Sequence, residues 1–368
     1  MQRILEQRIW IATVAIMTFG LAALYSASYQ NARVERGIFY DQLVWALVGL
    51  LVMFLLSRFD CRRLFSMAYI FYILNIILLI TVLIIGRNIL GAKRWIEVGS
   101  INFQPSELMK LAVVIVLARY LSQRNTFPVF SVQSFLRSLS HEFIIPLLLV
   151  VLPMLFIFKQ PDLGTALLLL GVFIILIFAS GVRLRFILPF LGLGLAVAPF
   201  AWHILKPYQK ERLMVFLNPS ADPLGAGYTI IQSKIAVGSG RLLGKGWFGG
   251  SQNQLSFLPE RHTDFIFSVI GEEWGFLGAA FLIFCFFILI DSGLKIAKHS
   301  NDRFGFLMAV GIAGILALQT IINVGMVLGL FPVVGLTLPF VSYGRSSLMI
   351  SAVMLGILLS LNRRRIIF

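Results

Sequence analysis

The chain has 368 residues, of which 59% are hydrophobic and 13% are charged. Soluble domains carry roughly 25% charged residues, so this composition excludes a water-soluble globular protein and indicates an integral membrane protein. The formal net charge is +15. Because neither a nucleic-acid-binding motif nor a soluble basic domain accompanies this charge, no nucleic-acid partner is expected.

Apolar runs of about the length that crosses a ~30 Å hydrocarbon layer recur along the chain. They predict ten transmembrane helices, near residues 9–27, 40–57, 64–86, 107–122, 143–158, 163–181, 186–205, 265–291, 304–331 and 337–361. Strands that span membranes would show alternation instead of long apolar blocks. The predicted fold is therefore an all-α, polytopic integral membrane protein with one large extracytoplasmic loop between helices 7 and 8.

That loop, residues 206–264, is the one long polar connection, and residues 1–368 are treated as a single membrane domain that carries it as an insert. Lysine and arginine near helix ends mark the cytoplasmic side of a membrane. One set of alternate connections holds sixteen such residues, whereas the short loops of the other set hold seven. This bias predicts cytoplasmic termini and an outer loop at 206–264, and it suits anchoring to acidic membrane lipid.

The most informative segment is Phe257–Phe267, a run of polar and titratable residues directly before a predicted helix. Thr263 and Asp264 have the residue types of a helix N-cap, which is the structural alternative. Three more titratable residues precede them at 260–262. A carboxylate close to basic groups and partly shielded from water is equipped to act as a general base, so the segment favours catalysis by Asp264.

Charged residues also fall inside predicted helices. An unpaired charge at mid-membrane costs about 2.5–3.5 kcal/mol, so each needs a partner or a polar cavity. Glu107 and Lys110 lie three residues apart, on one helix face, where they can form an ion pair that holds helices together. Glu272 and Glu273 lie in predicted helix 8. We expect them to line a polar cavity below Asp264.

A glycine-rich stretch at 238–246 invites comparison with a nucleotide-binding loop. A Walker motif would need glycine at Ser239 and a hydroxyl residue at Gly246, so the match fails. Its backbone amides could still form an anion-binding nest beside Arg241 and Lys245. An ordinary flexible loop is the alternative.

Three further polar segments stand at predicted helix mouths, at 91–95, 104–107 and 160–165. Their serine and aspartate residues suit helix caps. Lys93 and Arg94 are candidates for a phosphate clamp, because the tryptophan that follows them would hold them at the membrane interface.

Seven segments along the chain together identify a family. They are Gly91–Trp95, Gln104–Glu107 with Lys110, Gln160–Thr165, Asp222–Tyr228, Leu258–Phe267, Asn323–Met326 and Leu338–Gly344. In this order they resemble the SEDS proteins (shape, elongation, division and sporulation), polytopic peptidoglycan glycosyltransferases, over essentially the whole chain. Residues 257–262 are most similar to the rod-shape, elongation branch. Arg345 departs from the family pattern, which usually has a second glycine there, and this puts in doubt how that mouth binds its ligand.

The resemblance implies that Lipid II, a disaccharide-pentapeptide on undecaprenyl pyrophosphate, is polymerised at the outer face of the bacterial cytoplasmic (inner) membrane. Asp264 is then the expected general base of an inverting transfer. Charge-assisted hydrogen bonds would stabilise the departing pyrophosphate. The candidate substrate-binding residues are Lys93, Arg94, Arg212, Arg261, Gln104, Ser106, Asp162 and Ser342.

A second possible role for Asp264 is that of a ligand to a divalent cation, Mg²⁺ or Mn²⁺. The sequence, however, places no partner carboxylate beside it. The resemblance also implies a class B penicillin-binding protein as partner, a transpeptidase that crosslinks new strands. Two other functions are alternatives: a Lipid II flippase or transporter, suggested by many helices with intramembrane charges, and a noncatalytic scaffold of a cell-wall synthase.

Overall fold

The computed structural model describes residues 2–29, 36–60, 62–89, 92–99, 101–123, 140–182, 188–190, 192, 196, 203, 207–223 and 225–363. The long helices are α1 (Gln2–Ser28), α2 (Arg36–Leu56), α3 (Arg62–Ile85), α4 (Pro105–Ser122), α5 (Ile145–Lys159), α6 (Leu163–Ala179), α11 (Gly275–Lys298), α12 (Arg303–Val327) and α13 (Arg345–Arg363). The shorter helices are α7 (Pro207–Leu217), α8 (Ala226–Ser239), α9 (Ser251–Gln254) and α10 (Ile266–Glu273). A π-helical turn, Ser140–Ile144, precedes α5, and a 3₁₀ turn, Pro219–Ala221, precedes α8.

Within the described residues, seven helices are long and apolar enough to cross a membrane: α1, α2, α3, α5 with its π-helical turn, α11, α12 and α13. The chain is therefore a multi-pass membrane protein. Nine of the ten predicted spans coincide with described helices. The seventh, at 186–205, lies mostly outside the described residues, so the count of ten and the position of the long loop stay predictions.

Predicted helix 8 is interrupted, so the prediction of one continuous helix there was wrong. Trp274 separates α10 from α11, and Gly275, the first residue of α11, has a φ of +63°. The amides of Phe276 and Leu277 donate to the carbonyls of Arg241 and Leu242 at 2.9 and 3.1 Å. The glycine-rich loop therefore docks into the break, and its packing replaces part of the intrahelical hydrogen bonding.

A small antiparallel sheet, which the sequence did not indicate, lies between α3 and α4. Its strands are β1 (Arg87–Ile89), β2 (Ala92–Val98) and β3 (Ile101–Phe103), in the order β1-β2-β3. β1 and β3 have three residues each, and the seven residues of β2 do not alternate between polar and apolar, so the pattern by which a strand is recognised is missing. The sheet matters for the site because β2 carries Lys93 and Arg94.

The centre of the bundle is formed by α4, α12 and α13, whose residues are mostly buried. Gly311 of α12 lies against Val114 of α4, where a side chain at 311 would collide with the valine. Small residues at such contacts let helices approach closely in a membrane. On the outside, α2 and α3 expose isoleucine and leucine side chains such as Leu51, Ile73 and Ile77, as expected for helices in lipid.

We predict that Gly240→Ala destabilises the protein and that Gly238→Ala does not. An alanine Cβ at 240 would lie 1.9 Å from the Gly271 carbonyl oxygen, whereas a Cβ at 238 meets nothing within 4 Å. Overpacking of this kind costs about 1–3 kcal/mol. The alanine at 238 should be neutral or slightly stabilising, because glycine is a poor helix former. Thermal unfolding of both variants in detergent measures the difference, and equal melting temperatures would contradict the docked loop.

Candidate active site

Three connections that the sequence predicts to lie on the outer side meet at one place. Arg94 of β2 donates through Nε to the Gln160 carbonyl at 3.0 Å and through Nη2 to the Pro161 carbonyl. Gln104, before α4, donates through Nε2 to Asp162 at 3.5 Å. These contacts join the sheet, the start of α4 and the α5–α6 connection.

Asp162 lies at the centre of this junction and is buried. One carboxylate oxygen accepts a hydrogen bond from the Thr165 amide at 3.2 Å, so Asp162 caps α6, as its position suggested. The other oxygen accepts from the Ser106 hydroxyl at 3.3 Å. Ser106 does not cap α4, whose N-cap is Gln104 without a side-chain hydrogen bond. The pair instead links the starts of two helices.

The segment that carries Asp264 is a turn rather than the first turn of a helix. Glu260 adopts a φ of +50°, a left-handed conformation that is uncommon outside glycine. Its carbonyl accepts hydrogen bonds from the amides of Thr263 and Phe265 at 3.1 and 3.3 Å. Helix α10 then begins with Phe265 as its N-cap and no side-chain capping bond. The capping alternative for Asp264 was therefore wrong.

Three hydrogen bonds hold the backbone around Asp264. Ser342 donates from its hydroxyl to the Thr263 carbonyl at 2.6 Å. The amide of Tyr343 donates to the His262 carbonyl at 2.8 Å. Asn323 of α12 donates through Nδ2 to the Asp264 carbonyl at 3.1 Å. The position of the base candidate is thus set by neighbouring segments.

Sequence reasoning gave Asn323 no role, although it stands as an amide in an otherwise apolar run. In the structure it is buried, and its Nδ2 donates to the Leu336 carbonyl at 2.7 Å as well as to Asp264. A lone amide in a transmembrane helix needs a partner, and that requirement was the available signal.

The Asp264 side chain is half-buried. The pKa of this carboxyl is raised to about 6, chiefly by burial and next by the negative charge of Glu260. The guanidinium groups of Arg212 and Arg94 act in the opposite direction, and Asp162 raises the pKa further. Asp264 therefore has a raised proton affinity while two cations act on its carboxyl, an electrostatic setting that suits a general base.

The predicted cationic residues divide into two groups. Arg212 of α7 donates through Nη1 to the Val333 carbonyl at 3.1 Å, and with Arg94 it acts on Asp264. Lys93 is exposed on β2 beside Arg94. Arg261 is buried, and its Nε donates to the Ala27 carbonyl at 2.9 Å, at the end of α1. Its proposed contact with pyrophosphate stays a prediction.

Glu107 and Lys110 form the ion pair that their spacing predicted. The two charged groups are 2.7 Å apart and both side chains are buried in the first turns of α4. The Lys110 Nζ makes no hydrogen bond of good geometry with the described residues, so the contact is chiefly electrostatic. A buried pair of this kind is weak evidence for stability, but the loss of one partner leaves an uncompensated charge.

Glu272 and Glu273 lie in a second buried cluster. Glu272 accepts from Lys245 Nζ at 2.8 Å and from the amides of Gln252 and Asn253 at 3.0 and 3.2 Å. Glu273 accepts from the Asn253 side chain at 3.0 Å and from the Ser26 hydroxyl of α1. Glu272 thus pairs with Lys245 of the glycine-rich stretch, while the amides that it accepts from belong to α9. The anion-binding nest at 238–246 stays a prediction. A role of the two glutamates in a cavity below Asp264 stays a prediction.

The donor set around Asp264 does not by itself fit a resident divalent cation. Among the described residues, no three histidine, cysteine, aspartate or glutamate side chains lie close enough together to hold a metal ion. The two guanidinium groups near Asp264 are cations that would repel a metal. Protein-bound Mg²⁺ needs oxygen ligands in near-octahedral geometry.

Comparison with known proteins places the chain in a family. The FtsW/RodA/SpoVE family profile, described as "Cell cycle protein", matches residues 6–366. The chain therefore belongs to this family. Peptidoglycan glycosyltransferase MrdB of Escherichia coli (strain K12) is 40% identical over 364 residues, which are 98% of this chain and 94% of that protein. Stage V sporulation protein E of Bacillus subtilis (strain 168) is 39% identical over 360 residues, 96% and 95% of the two chains.

Solved structures show the same fold. A chain from a structure on the coordination of polymerization and crosslinking by a peptidoglycan synthase complex aligns with a TM-score of 0.81 at 34% identity, over 98% of both chains. The rod shape determining protein RodA of Thermus thermophilus aligns with a TM-score of 0.70 at 32% identity, over 97% of this chain and 96% of that one. The resemblance to the SEDS proteins is confirmed, and so is the predicted helical membrane fold, apart from the small sheet between α3 and α4.

We predict that Lys110→Met destabilises the protein by about 3–5 kcal/mol, because Glu107 is then left buried and unpaired. The double variant Glu107→Gln, Lys110→Met should recover most of this loss. Lys295→Met is the matched control, because Lys295 pairs with Asp291 at 2.6 Å but is 44% exposed, and such pairs contribute at most about 1 kcal/mol. Thermal unfolding measures all three, and a Lys110→Met protein as stable as the control would contradict the uncompensated-charge argument.

Proposed function

We propose that the chain is a peptidoglycan glycosyltransferase that polymerises Lipid II into glycan strands at the outer face of the bacterial cytoplasmic membrane. The observation that carries the proposal is the half-buried Asp264 carboxyl at the junction of the outer connections, with its raised pKa and two guanidinium groups acting on it. The transfer needs a base and stabilisation of an anionic leaving group. Relatives that are named peptidoglycan glycosyltransferases support the same reaction.

The reaction is a displacement at the anomeric carbon of the donor sugar. An acceptor hydroxyl forms the new carbon–oxygen bond as the bond to the pyrophosphate oxygen breaks, and the electron pair of that bond leaves with the lipid pyrophosphate. Asp264 accepts the hydroxyl proton. General-base assistance of this kind contributes about 10²–10⁴-fold, and it is most effective when the base has a pKa near the working pH.

The leaving pyrophosphate gains negative charge, which the nearby cations would stabilise. Arg212 and Arg94 are the residues best placed, because both act on the Asp264 carboxyl. Two nitrogens of Arg94 already donate to backbone carbonyls, so this residue acts chiefly through its charge. Preorganised cations in a partly desolvated site stabilise developing charge more than they would in water. Lys93 is exposed on the same strand, but consecutive side chains of a strand point to opposite faces, so it adds positive charge near the site without sharing a surface with Arg94.

Four polar residues hold the backbone and helix ends around the site: Gln104, Ser106, Asp162 and Ser342. Ser342 holds the backbone next to Asp264, while the other three join α4 to α6 beside Arg94. We propose that they shape the sugar- and pyrophosphate-binding mouth, and that the Glu107–Lys110 pair underlies it. No step of this mechanism uses a metal ion.

We infer that the partner is a class B penicillin-binding protein, a transpeptidase that crosslinks the new strands. Similarity over almost the whole chain to a component of a peptidoglycan synthase complex supports this inference. Similarity to a rod shape determining protein supports a role in cell elongation, with both termini in the cytoplasm as the charge bias predicts.

The test of the function is polymerisation of purified Lipid II by purified protein in detergent, where a transporter has no second compartment. We expect the wild type to produce glycan polymer and Asp264→Asn to be slower by at least about 100-fold. Glu97→Gln is the control, because Glu97 is an exposed carboxylate on β2 that pairs with Arg87. An Asp264→Asn protein that polymerises at the control rate would refute the base, and an inactive wild type would favour the flippase or scaffold.

The charge environment of Asp264 predicts opposite pH shifts in two variants. The base must be ionised, so the rate should rise as pH increases through about 6, the pKa of Asp264. Glu260→Gln removes a negative charge that raises this pKa, so the acidic limb of the rate profile should move to lower pH. Arg212→Gln removes a positive charge that lowers it, so the limb should move to higher pH. Initial rates on either side of pH 6 measure both shifts; movement in one common direction would contradict the assignment.

A further inference from the structure

A cluster of side chains at the outer end of α2 has no part in the mechanism above. The Asp41 carboxylate accepts hydrogen bonds from Arg345 Nε at 2.6 Å and from the Tyr343 hydroxyl at 3.0 Å. Next to it, Gln42 donates through Nε2 to the Ser342 carbonyl at 3.1 Å and accepts from the Gly344 amide at 3.3 Å. Four contacts therefore join α2 to the segment 342–345, which we call the clamp segment.

The same clamp segment holds the backbone next to Asp264. Ser342 donates from its hydroxyl to the Thr263 carbonyl, and Tyr343 donates from its amide to the His262 carbonyl. Ser342 also accepts from the Leu338 amide at 2.8 Å, which fixes its hydroxyl. Residues 342 and 343 thus bond to α2 on one side and to the Asp264 turn on the other.

The charges of Asp41 and Arg345 stabilise each other. Arg345 is the first residue of α13, where the helix dipole disfavours a cation. Asp41 offsets that cost by bringing a carboxylate to the same helix end. The two side chains are 25% and 23% exposed, so the pair is partly desolvated, and it shares a second donor in Tyr343. Such a network is stiffer than an ordinary surface pair.

Arg345 has no direct part in the proposed chemistry. The charges that act on Asp264 come from Glu260, Arg212, Arg94 and Asp162. Arg345 is linked to the Asp264 turn through the backbone of the clamp segment. It is a candidate positioning residue, not a catalytic one.

We propose that the ion pair of Asp41 and Arg345 positions Asp264 for proton transfer, by holding the clamp segment against the turn at 262–264. The inference rests on the proposed function. A misplaced base slows the reaction without weakening substrate binding elsewhere in the site, and displacements of about 1 Å can cost up to about 100-fold.

The test compares kcat and KM for Lipid II in purified variants. We expect Arg345→Gly and Asp41→Asn each to lower kcat about tenfold with KM changed less than about twofold. The double variant should be no slower than the slower single variant, because the two residues act as a unit. Arg345→Lys keeps the charge and should retain more of the rate than Arg345→Gly. The charge exchange, Asp41→Arg with Arg345→Asp, should have a higher kcat than Asp41→Arg or Arg345→Asp alone.

Asp291→Asn is the matched control, since Asp291 pairs with Lys295 at the same 2.6 Å separation at the far end of α11. It should leave kcat unchanged. Tyr343→Phe removes only one hydroxyl and gives a milder variant, expected to lose rate by a few-fold, in case Asp41→Asn folds poorly. Melting temperatures of all variants identify any loss that comes from unfolding.

The two proposals fail in different ways. If the wild type polymerises, Asp264→Asn is inactive and Arg345→Gly keeps the wild-type kcat, only the clamp is refuted. Losses that simply add in the double variant, or that appear in KM alone, also refute it. If Asp264→Asn polymerises normally, the proposed base fails first.

Discussion

The structure depends on one constraint: a charge held away from water near a membrane must find its partner in the chain. Asp162 is satisfied by Thr165 and Ser106, Glu107 by Lys110, and Glu272 by Lys245 together with backbone amides of α9. Asp264 differs from these carboxylates. Asn323 donates a hydrogen bond to its backbone carbonyl, and the surrounding charges act on its carboxyl from a distance. The backbone of Asp264 is held in place while the pKa of its carboxyl is raised. Such a carboxyl is suited to exchange a proton with a ligand.

The site is built from connections, while the helices supply the frame. Helix α12 contributes Asn323, α6 is capped by Asp162, and α13 begins at Arg345, so each connection is fixed to a packed helix at its end. Rigid helix ends allow irregular backbone, including the left-handed Glu260, to persist at the site. The Glu272 cluster likewise holds the glycine-rich loop, because Glu272 binds Lys245 while the loop packs against the break at Gly275.

Local rules succeeded where two residues are neighbours on one element. The spacing of Glu107 and Lys110 predicted their ion pair, and the position of Asp162 before an apolar run predicted its capping role. The same rules failed at Asp264, where an N-cap residue type stands in a turn, and at Gly275, where a long apolar run hides a break. In both places a distant segment supplies the deciding hydrogen bonds, through Ser342 in the first case and Arg241 in the second.

The sequence by itself determined the membrane class, the helical fold and the family, because hydrocarbon thickness dictates long apolar runs and the motifs stand in a fixed order. It also identified Asp264 as the residue to examine. Only the tertiary structure decided which cations act on that carboxyl, that Arg261 is turned toward α1, and that Arg345 is paired with Asp41. These pairings join residues as much as 304 positions apart in the chain. Charge interactions depend on distance in space and on local burial, which neither composition nor spacing along the chain contains.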